Sequence, residues 1–357
     1  MLRYAYEKLP QRSALNLADE GRIKMKNVIK AALVTIPYTG KYLKGIEEAL
    51  APAKIFHVPD NDEAAISKAL QEADVAMLGG DISPQILEEG KHLRWIHCNH
   101  AGLALSARPE IFERDIVLTG ASGRSSPVLA EHAFFLLLSL IYDSPTLVVN
   151  QQKHVWDGGM YADKRGIFNK TMGIIGMGYI GKEIAIRAKA FGMKVLAYDK
   201  SFNGTPDYID RFFSGDAGDS IDRLLKESDV VALAIRLNDE TYRMIDKCAF
   251  SLMKPTAYLI NISRGAVVDE NALYEALRDG VIAGAGSDVF EVEPLQADSP
   301  LWDLPNMIIT PHCTPEVPDM PGNCVEIIKN NVHAYREGLP MVNKLELRDV
   351  YTKEAIK

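Results

Sequence analysis

The sequence predicts an α/β protein built from two doubly wound parallel-sheet domains. Short apolar runs alternate with helical segments through both halves of the chain, and this alternation is typical of strand–helix–strand crossover units. The length of 357 residues exceeds what a single average domain needs. An apolar content of 47% and a charged content of 25% are those of a globular protein.

The first domain is predicted within residues 1–123. Its first 26 residues mix charges of both signs with isolated apolar residues and are expected to form an appended arm. From Asn27 the pattern becomes regular, and it predicts a strand at 29–37, a helix at 45–50 and a helix at 63–73. Further apolar runs of strand length lie at 54–58, 75–78, 93–98 and 117–119.

A helix at 128–141 follows Pro127 and is apolar on nearly all sides. Such a helix is buried on several faces. Two explanations remain open at this stage. One face is covered by a second copy of the chain, which would make a homodimer, or the whole helix packs inside its own domain.

The second domain is predicted over residues 124–312. Six strands, at 172–176, 194–198, 230–235, 257–262, 282–287 and 307–310, suit a doubly wound sheet. The remaining residues, 313–357, contain a convincing helix only at 323–336. This return segment is too small to fold alone, so we expect it to pack on the first domain.

A glycine-rich loop, Gly176-Met177-Gly178-Tyr179-Ile180-Gly181, matches the pattern G-x-G-x-x-G. A predicted strand leads into it and a predicted helix at 179–191 follows, which is the context of a dinucleotide-binding loop. The first glycine permits the tight turn, the second lets a pyrophosphate approach the backbone, and the third lets the helix pack closely. Unpaired amides at the helix start would face the anion.

Asp199 ends the next predicted strand, about 20 residues after the loop. A carboxylate at this place accepts hydrogen bonds from both hydroxyls of an adenosine ribose and repels a 2′-phosphate. NAD is therefore favoured over NADP as cofactor, although the neighbouring Lys200 leaves NADP open.

Three polar residues, Arg264, Glu293 and His312, follow predicted strands of the second domain. Ligands of open α/β sheets bind at this edge. A rigidly held guanidinium such as that of Arg264 can grip a carboxylate and polarise a neighbouring carbonyl. An imidazole such as that of His312 can donate a proton to an oxygen when a carboxylate lies within reach to favour its charged form.

Several classes of partner are disfavoured by composition. A net charge of −8 argues against nucleic acid. The longest near-continuous apolar run, 133–141, is far shorter than the ~20 residues of a membrane span, and no leader pattern precedes it. Four scattered cysteines suit a reducing compartment, so a cytoplasmic location is expected. We predict no metal site at His97 and Cys98, because adjacent strand residues point to opposite faces.

The sequence resembles the D-isomer-specific 2-hydroxyacid dehydrogenase family through segments that occur in the right order over most of the chain. Leu129-Ala130-Glu131-His132 is similar to the family's domain-crossing helix, and Gly102 lies near its substrate loop. The five main matching segments are 173–178, Tyr198-Asp199, 261–270, 284–295 and Thr310-Pro311-His312.

The resemblance implies a Rossmann-type NAD-binding domain inserted into a flavodoxin-like substrate domain. It implies that Arg264 binds the substrate carboxylate and keto oxygen, that His312 donates the proton, and that Glu293 holds the imidazole. The amides near Ala101 and Gly102 would cradle the carboxylate. The implied cofactor-binding residues are Gly176, Gly178, Tyr179, Ile180, Gly181, Asp199, Ile262 and Asp288.

The activity implied is reversible hydride transfer between NADH and a small-molecule 2-keto acid, giving a D-2-hydroxy acid. The family's dimeric habit adds weight to a homodimer. Two other functions stay open: a phosphite dehydrogenase-type enzyme, and an NAD-sensing corepressor or scaffold of the same fold with little or no activity. Formate dehydrogenases usually carry Gln where this chain has Glu293, which argues against that chemistry.

Three departures from the family's pattern lie where substrate preference can be set. Arg236-Leu237-Asn238 replaces the usual Pro-Leu-Thr and places a charge near the cofactor or the cleft. Gly102-Leu103-Ala104 replaces a Gly-x-Asp pattern in the substrate loop, and Cys313-Thr314-Pro315 follows His312 in place of a small apolar run.

Overall fold

A computed structural model describes residues 27–162, 166–201 and 206–353 of the chain. The appended arm predicted for residues 1–26 lies outside this range. The described residues form two parallel-sheet α/β domains, which confirms the predicted fold class.

The first sheet has five parallel strands in the order β2-β1-β3-β4-β5. Its strands are β1 (Ala31–Val34), β2 (Lys54–His57), β3 (Val75–Leu78), β4 (Trp95–Cys98) and β5 (Val117–Gly120). All four residues of β1, β3 and β4 are buried, as expected for strands covered by helices on both faces.

The second sheet has seven parallel strands in the order β12-β11-β10-β9-β6-β7-β8. Its strands are β6 (Thr171–Ile175), β7 (Lys194–Asp199), β8 (Arg211–Ser214), β9 (Val230–Leu233), β10 (Tyr258–Asn261), β11 (Gly284–Ser287) and β12 (Met307–Ile309). Six of these were predicted. The edge strand β8 was not, because its two apolar residues, Phe212 and Phe213, make too short a run to stand out.

Helices connect the strands on both sides of each sheet. They are α1 (Gly40–Leu50), α2 (Glu63–Leu70), α3 (Pro84–Glu89), α4 (Pro109–Glu113), α5 (Ser126–Ile141), α6 (Ser144–Gln152), α7 (Tyr179–Ala190), α8 (Asp222–Glu227), α9 (Lys247–Leu252), α10 (Glu270–Arg278) and α11 (Met320–Glu337). Several begin at a side-chain cap, for example α2 at Asp62 and α10 at Asp269, whose carboxylates accept amide hydrogen bonds of the first turn.

The helix α5 packs one face into the second domain's core and leaves part of its surface uncovered. Phe134, Leu136 and Leu137 are buried against this sheet, whereas Phe135 on the same helix is 54% exposed. The following helix α6 has no buried residue, and its Val148 is also exposed. Among the described residues, the two helices therefore carry an apolar surface that is exposed.

The segment after β12 returns to the first domain. Val325, Ile328 and Val332 of α11 join the core beneath the first sheet, and Tyr335 stacks on Trp95 with ring centroids 5.1 Å apart. Beyond the helix, the chain contacts both domains, since the amide of Leu345 donates to the carbonyl of Leu118 and Arg236 forms an ion pair with Asp349.

No single helix within residues 27–162, 166–201 and 206–353 has the length and apolar content needed to cross a membrane. The pair α5 and α6 would reach that length only together, and they bend by 64° at their junction.

Candidate active site

A cleft of about 690 Å³ lies between the two domains. Its walls are loops that follow the carboxyl ends of strands in both sheets, the edge at which open α/β sheets bind ligands. Gly102 and Arg124 follow strands of the five-stranded sheet, and Asp199, Arg264 and His312 lie at or after strand ends of the seven-stranded sheet.

Each glycine of the G-x-G-x-x-G loop meets a different steric demand. Gly176 has φ +98°, and a side chain there would strike the backbone of Ala234. A Cβ at Gly178 would meet nothing within 4 Å, so the backbone is open on the side of the cleft. A Cβ at Gly181 would lie 2.0 Å from the carbonyl oxygen of Gly176, which is how closely α7 approaches the loop.

The helix α7 begins at this loop with no side-chain cap on its first amides. Those amides, together with the open backbone at Gly178, form a cradle suited to a pyrophosphate. The residues present therefore fit a dinucleotide.

Asp199 ends β7 on the wall of the same cleft. One of its oxygens, Oδ2, accepts a hydrogen bond of 2.7 Å from the amide of Met177, which fixes the carboxylate beside the glycine loop. The neighbouring Lys200 forms an ion pair with Glu240, so its charge is already engaged.

His312 and Glu293 form a hydrogen-bonded pair 2.7 Å apart, between Nδ1 of the imidazole and Oε2 of the carboxylate. The second carboxylate oxygen of Glu293 accepts from the amide of Phe290 at 2.9 Å. His312 itself has a left-handed backbone, with φ +49°. Residues held in such sparsely populated conformations are frequent at functional sites.

The two partners change each other's pKa in the expected directions. The hydrogen bond that His312 donates to Glu293 raises the pKa of His312, and this outweighs the opposing effect of burial. Burial alone would raise the pKa of Glu293, but the hydrogen bonds from His312 and from the Phe290 amide lower it. The pair therefore favours an imidazolium beside a carboxylate, with Nε2 of the ring left available to the cleft.

Arg264 follows β10 and packs its guanidinium directly against the backbone of Gly102. An ideal Cβ at Gly102 would lie 1.1 Å from Nη2 and 2.2 Å from Cζ of Arg264. The guanidinium also donates from Nη1 to the carbonyl of Ser263. Burial lowers the pKa of Arg264, while the charges of Glu293 and Asp81 oppose this effect.

Gly265 lets the loop after β10 lie against the loop after β11. A Cβ at Gly265 would fall 1.8 Å from the carbonyl carbon of Phe290. Because the Phe290 amide also holds Glu293, this close backbone contact joins the loop of Arg264 to the loop that orients His312.

Asp288 is buried at the base of the cleft and accepts three hydrogen bonds. The donors are the hydroxyl of Thr310 at 2.6 Å, the amide of Cys313 at 3.0 Å and the hydroxyl of Thr314 at 3.1 Å. The ring of His132, on α5, also contacts both threonine hydroxyls. This network fixes the turn that carries His312.

The structure brings most of the predicted site residues onto one surface. The residues that line the cleft are Ala101, Gly102, Gly178, Tyr179, Ile180, Asp199, Ile262, Arg264, Asp288 and His312. Gly176 and Gly181 shape the loop behind this surface, and Glu293 acts through His312. Within the described part of the chain, the amides of Ala101 and Gly102 donate to no protein acceptor, so both can serve a ligand.

Other residues of the cleft were not predicted from the sequence. Arg124 and Ser126 line its wall between β5 and α5, and Arg348 lines the wall near Ser201. Their sequence signal is weak, because an arginine or serine in a loop is most often solvated. Arg348 is brought to the cleft only by the return of the chain after α11.

In the histidine-rich segment near β4, His97 is a packing residue. His97 is fully buried, and its Nδ1 lies 3.0 Å from the hydroxyl of Thr119. Burial, with a smaller contribution from His100, lowers its pKa to about 3. In the ranges that the structure describes, no three His, Cys, Asp or Glu side chains are grouped to hold a metal.

Comparison with known proteins agrees with this geometry. Residues 134–314 match the model of the D-isomer specific 2-hydroxyacid dehydrogenase NAD binding domain. The chain is 35% identical over 277 residues to a glyoxylate reductase of Korarchaeum cryptofilum, covering 75% of this chain and 80% of that protein. It is 34% identical to a hydroxypyruvate reductase of Thermotoga maritima, covering 69% of this chain and 79% of that one.

A solved structure is similar over almost its whole length. It is a D-isomer specific 2-hydroxyacid dehydrogenase family protein from Aeromonas salmonicida, with a TM-score of 0.73 and 30% identity. The match covers 89% of this chain and 99% of that chain. This chain is therefore a member of the D-isomer-specific 2-hydroxyacid dehydrogenase family, whose Rossmann domain binds NAD(P).

Proposed function

We propose that this protein is a dehydrogenase that reduces a 2-oxo acid to the D-2-hydroxy acid with NADH, and catalyses the reverse reaction. The observation that carries the proposal is the convergence, in one cleft, of the His312–Glu293 pair and the guanidinium of Arg264 with the glycine loop and Asp199. This reaction needs a proton donor, a cation that binds the substrate carboxylate and a loop that binds the dinucleotide, and these three kinds of group are present.

His312 is assigned as the proton donor and acceptor. Its Nδ1 is held by Glu293, so Nε2 is the nitrogen that would deliver a proton to the substrate's keto oxygen. Glu293 is a positioning residue, because it orients the ring and raises its pKa without itself lining the cleft. In the oxidation direction, neutral His312 would take the hydroxyl proton.

Arg264 is assigned to the substrate carboxylate and the keto oxygen. Its guanidinium lies against Gly102, so the amides of Ala101 and Gly102 are the nearest candidates to share the carboxylate. A guanidinium and an imidazolium on one oxygen would stabilise the negative charge that develops there in the transition state.

The cofactor is assigned to the second domain. Gly176, Gly178 and Gly181 would form the pyrophosphate loop, with the backbone of Tyr179 and Ile180 at the start of α7. The bound nicotinamide would supply or accept the hydride. Ile262 and Asp288 would contact its ring and amide, and Asp199 would accept the adenosine ribose hydroxyls, which favours NADH because its carboxylate repels a 2′-phosphate.

The domain division follows from these assignments. Residues 1–123 form the substrate-binding domain, residues 124–312 the NAD-binding domain, and residues 313–357 the return segment on the first domain. The apolar surface shared by α5 and α6 is assigned to a homodimer contact, because exposed patches of this kind mark protein interfaces.

The test is a panel of 2-oxo acids of increasing side-chain size, including glyoxylate, offered with NADH and with NADPH. We expect oxidation of NADH with at least one acid and a product that chiral chromatography identifies as the D isomer wherever the product is chiral. Tight NADH binding without turnover of any acid would favour the scaffold function. Oxidation of phosphite with NAD⁺, in the absence of keto-acid turnover, would favour the phosphite enzyme.

A further inference from the structure

Arg124 is a second arginine of the cleft, and it follows a strand of the other sheet from Arg264. It follows β5 in the loop that leads into α5. It lines the same cleft as Arg264 and His312. The charges of both arginines contribute to lowering the pKa of His100.

The charge of Arg124 is not neutralised by the protein. Four arginines line the cleft within the described residues, of which Arg236 pairs with Asp349 and Arg348 with Glu346. Neither Arg124 nor Arg264 has a carboxylate within 4 Å in that part of the chain. The proposed function assigns Arg264 to the substrate carboxylate next to the reacting carbon. It assigns no role to the charge of Arg124.

Among the residues that the structure describes, Nη1 is the one nitrogen of the Arg124 guanidinium that donates a hydrogen bond to the protein. Its Nη1 donates to the carbonyl of Asn99, and the carbonyl of Arg124 is held by Asn323 of α11. Among the described residues, Nη2 and Nε find no acceptor. The side chain is thus fixed in place while two donor positions remain free for a ligand.

Unsatisfied polar atoms lie beside Arg124 on the same wall. Ser126 is 4% exposed, and its hydroxyl has no hydrogen-bond partner among the described residues. The 16-residue helix α5 begins at this serine without a side-chain cap, so its positive end is open. A buried hydroxyl without a partner is rare and indicates a place that a ligand or water completes.

Neither Asp81 nor Glu316 has a carboxylate oxygen within 4 Å of the Arg124 guanidinium. Asp81 accepts a hydrogen bond from Ser106 and lies 3.6 Å from His100. Burial lowers the pKa of His100, although the charge of Asp81 opposes this. Glu316 lines the cleft but is an exposed residue.

We propose that the preferred substrate is a 2-oxo dicarboxylic acid, whose second carboxylate is bound by Arg124. This inference rests on the proposed function and specifies its substrate class. The acid would span the cleft, with the reacting end at Arg264 and His312 and the distal end at Arg124, between β5 and α5. A guanidinium with free donors matches a carboxylate in both charge and geometry.

The experiment compares 2-oxo diacids of four to six carbons with their ω-amides, which have the same size but lack the second charge. For the best pair, we expect kcat/KM of the diacid to exceed that of the amide at least tenfold. The variant Arg124→Gln should lower the ratio of kcat/KM for the diacid to kcat/KM for the amide tenfold or more, because it removes one charge-assisted hydrogen bond. Arg124→Lys should restore part of it, because the charge returns without the planar fork.

The matched control is Arg114→Gln. Arg114 is also half-buried in the first domain and also donates to backbone carbonyls, those of Leu87 and Gly90, but it does not line the cleft. In Arg114→Gln, the ratio of kcat/KM for the diacid to kcat/KM for the amide should equal that of the wild type. Thermal melts of both variants separate loss of recognition from loss of folding.

The inference is overturned if diacids and amides are reduced equally well, or if Arg124→Gln lowers both equally. It is also overturned if Arg124→Gln weakens NADH binding and leaves the ratio unchanged, since Arg124 would then serve the cofactor. In each case turnover of any 2-oxo acid leaves the proposed function intact. If no 2-oxo acid is turned over, the affinity of the NAD⁺ complex for the diacid is measured by calorimetry. A tenfold lower affinity in Arg124→Gln than in the wild type supports the inference, and an equal affinity overturns it.

Discussion

Gly102→Ala should remove most of the activity while leaving the fold intact. The added methyl carbon would lie 1.1 Å from Nη2, 2.2 Å from Cζ and 2.7 Å from Nε of Arg264. All three atoms belong to the end of a flexible side chain, so the guanidinium moves and the backbone stays. Carbon and nitrogen atoms in contact need about 3.5 Å, hence the guanidinium must shift by about 2 Å.

A displacement of that size takes Arg264 out of hydrogen-bonding range of a substrate held by the rest of the cleft. Misplacing a catalytic group by 1 Å costs about 100-fold in rate, and removing one oxyanion donor costs about 100-fold to 1,000-fold. We therefore expect kcat/KM for 2-oxo acids to fall at least 100-fold. Binding of NADH should be preserved, because the glycine loop and Asp199 are untouched.

The assay is steady-state NADH oxidation, with NADH affinity from fluorescence titration and stability from thermal melting. Gly80→Ala is the matched control, since a Cβ there would meet nothing within 4 Å. Gly102→Ala with near-normal turnover would refute the contact between Arg264 and Gly102 as a feature of the working site. A large fall in melting temperature would refute the argument that only the side chain moves.

Three further changes test other parts of the site. Glu293→Gln removes the group that raises the pKa of His312, so in the reduction direction, which needs the imidazolium, the loss of kcat/KM with rising pH should begin at lower pH than in the wild type. Asp199→Ala should weaken NADH binding about tenfold and shift preference toward NADPH, because a charged acceptor for the ribose is lost. Val148→Asp should convert a dimer to a monomer in light scattering, since it places a charge on the exposed apolar surface of α5 and α6.

Each of these three predictions has a result that would contradict it. An unchanged pH profile in Glu293→Gln would mean that His312 is not the titrating acid. Equal NADH affinity in Asp199→Ala would place the adenosine ribose elsewhere. An unchanged molar mass in Val148→Asp would show that this surface is not the subunit contact.

Periodicity and turn chemistry were enough to predict most of the fold. The buried strands β1, β3 and β4 stand out as continuous apolar runs between glycine-rich or polar turns. The strand β8 was missed because an edge strand buries little and needs only a short apolar run. The short helices α3 and α4 are likewise too brief to show a helical period.

Site residues that follow strands were predictable, because parallel strands end at a common edge. Asp199 is the last residue of such a strand, Arg264 and His312 come shortly after one, and the structure gathers them in one cleft. Arg124 follows a strand too, but on the other sheet, and only the arrangement of the two domains brings it opposite Arg264. The contact of Gly102 with a guanidinium 162 positions away could not be read from any local pattern.

The account depends on His312 and Arg264 acting together on one substrate oxygen. The most direct measurement is the single-turnover rate of NADH oxidation by His312→Gln and by Arg264→Gln, with the best 2-oxo acid and saturating cofactor. We predict that each rate falls at least 100-fold, with NADH affinity within about threefold of the wild type. A rate within tenfold of the wild type for either variant would contradict the account.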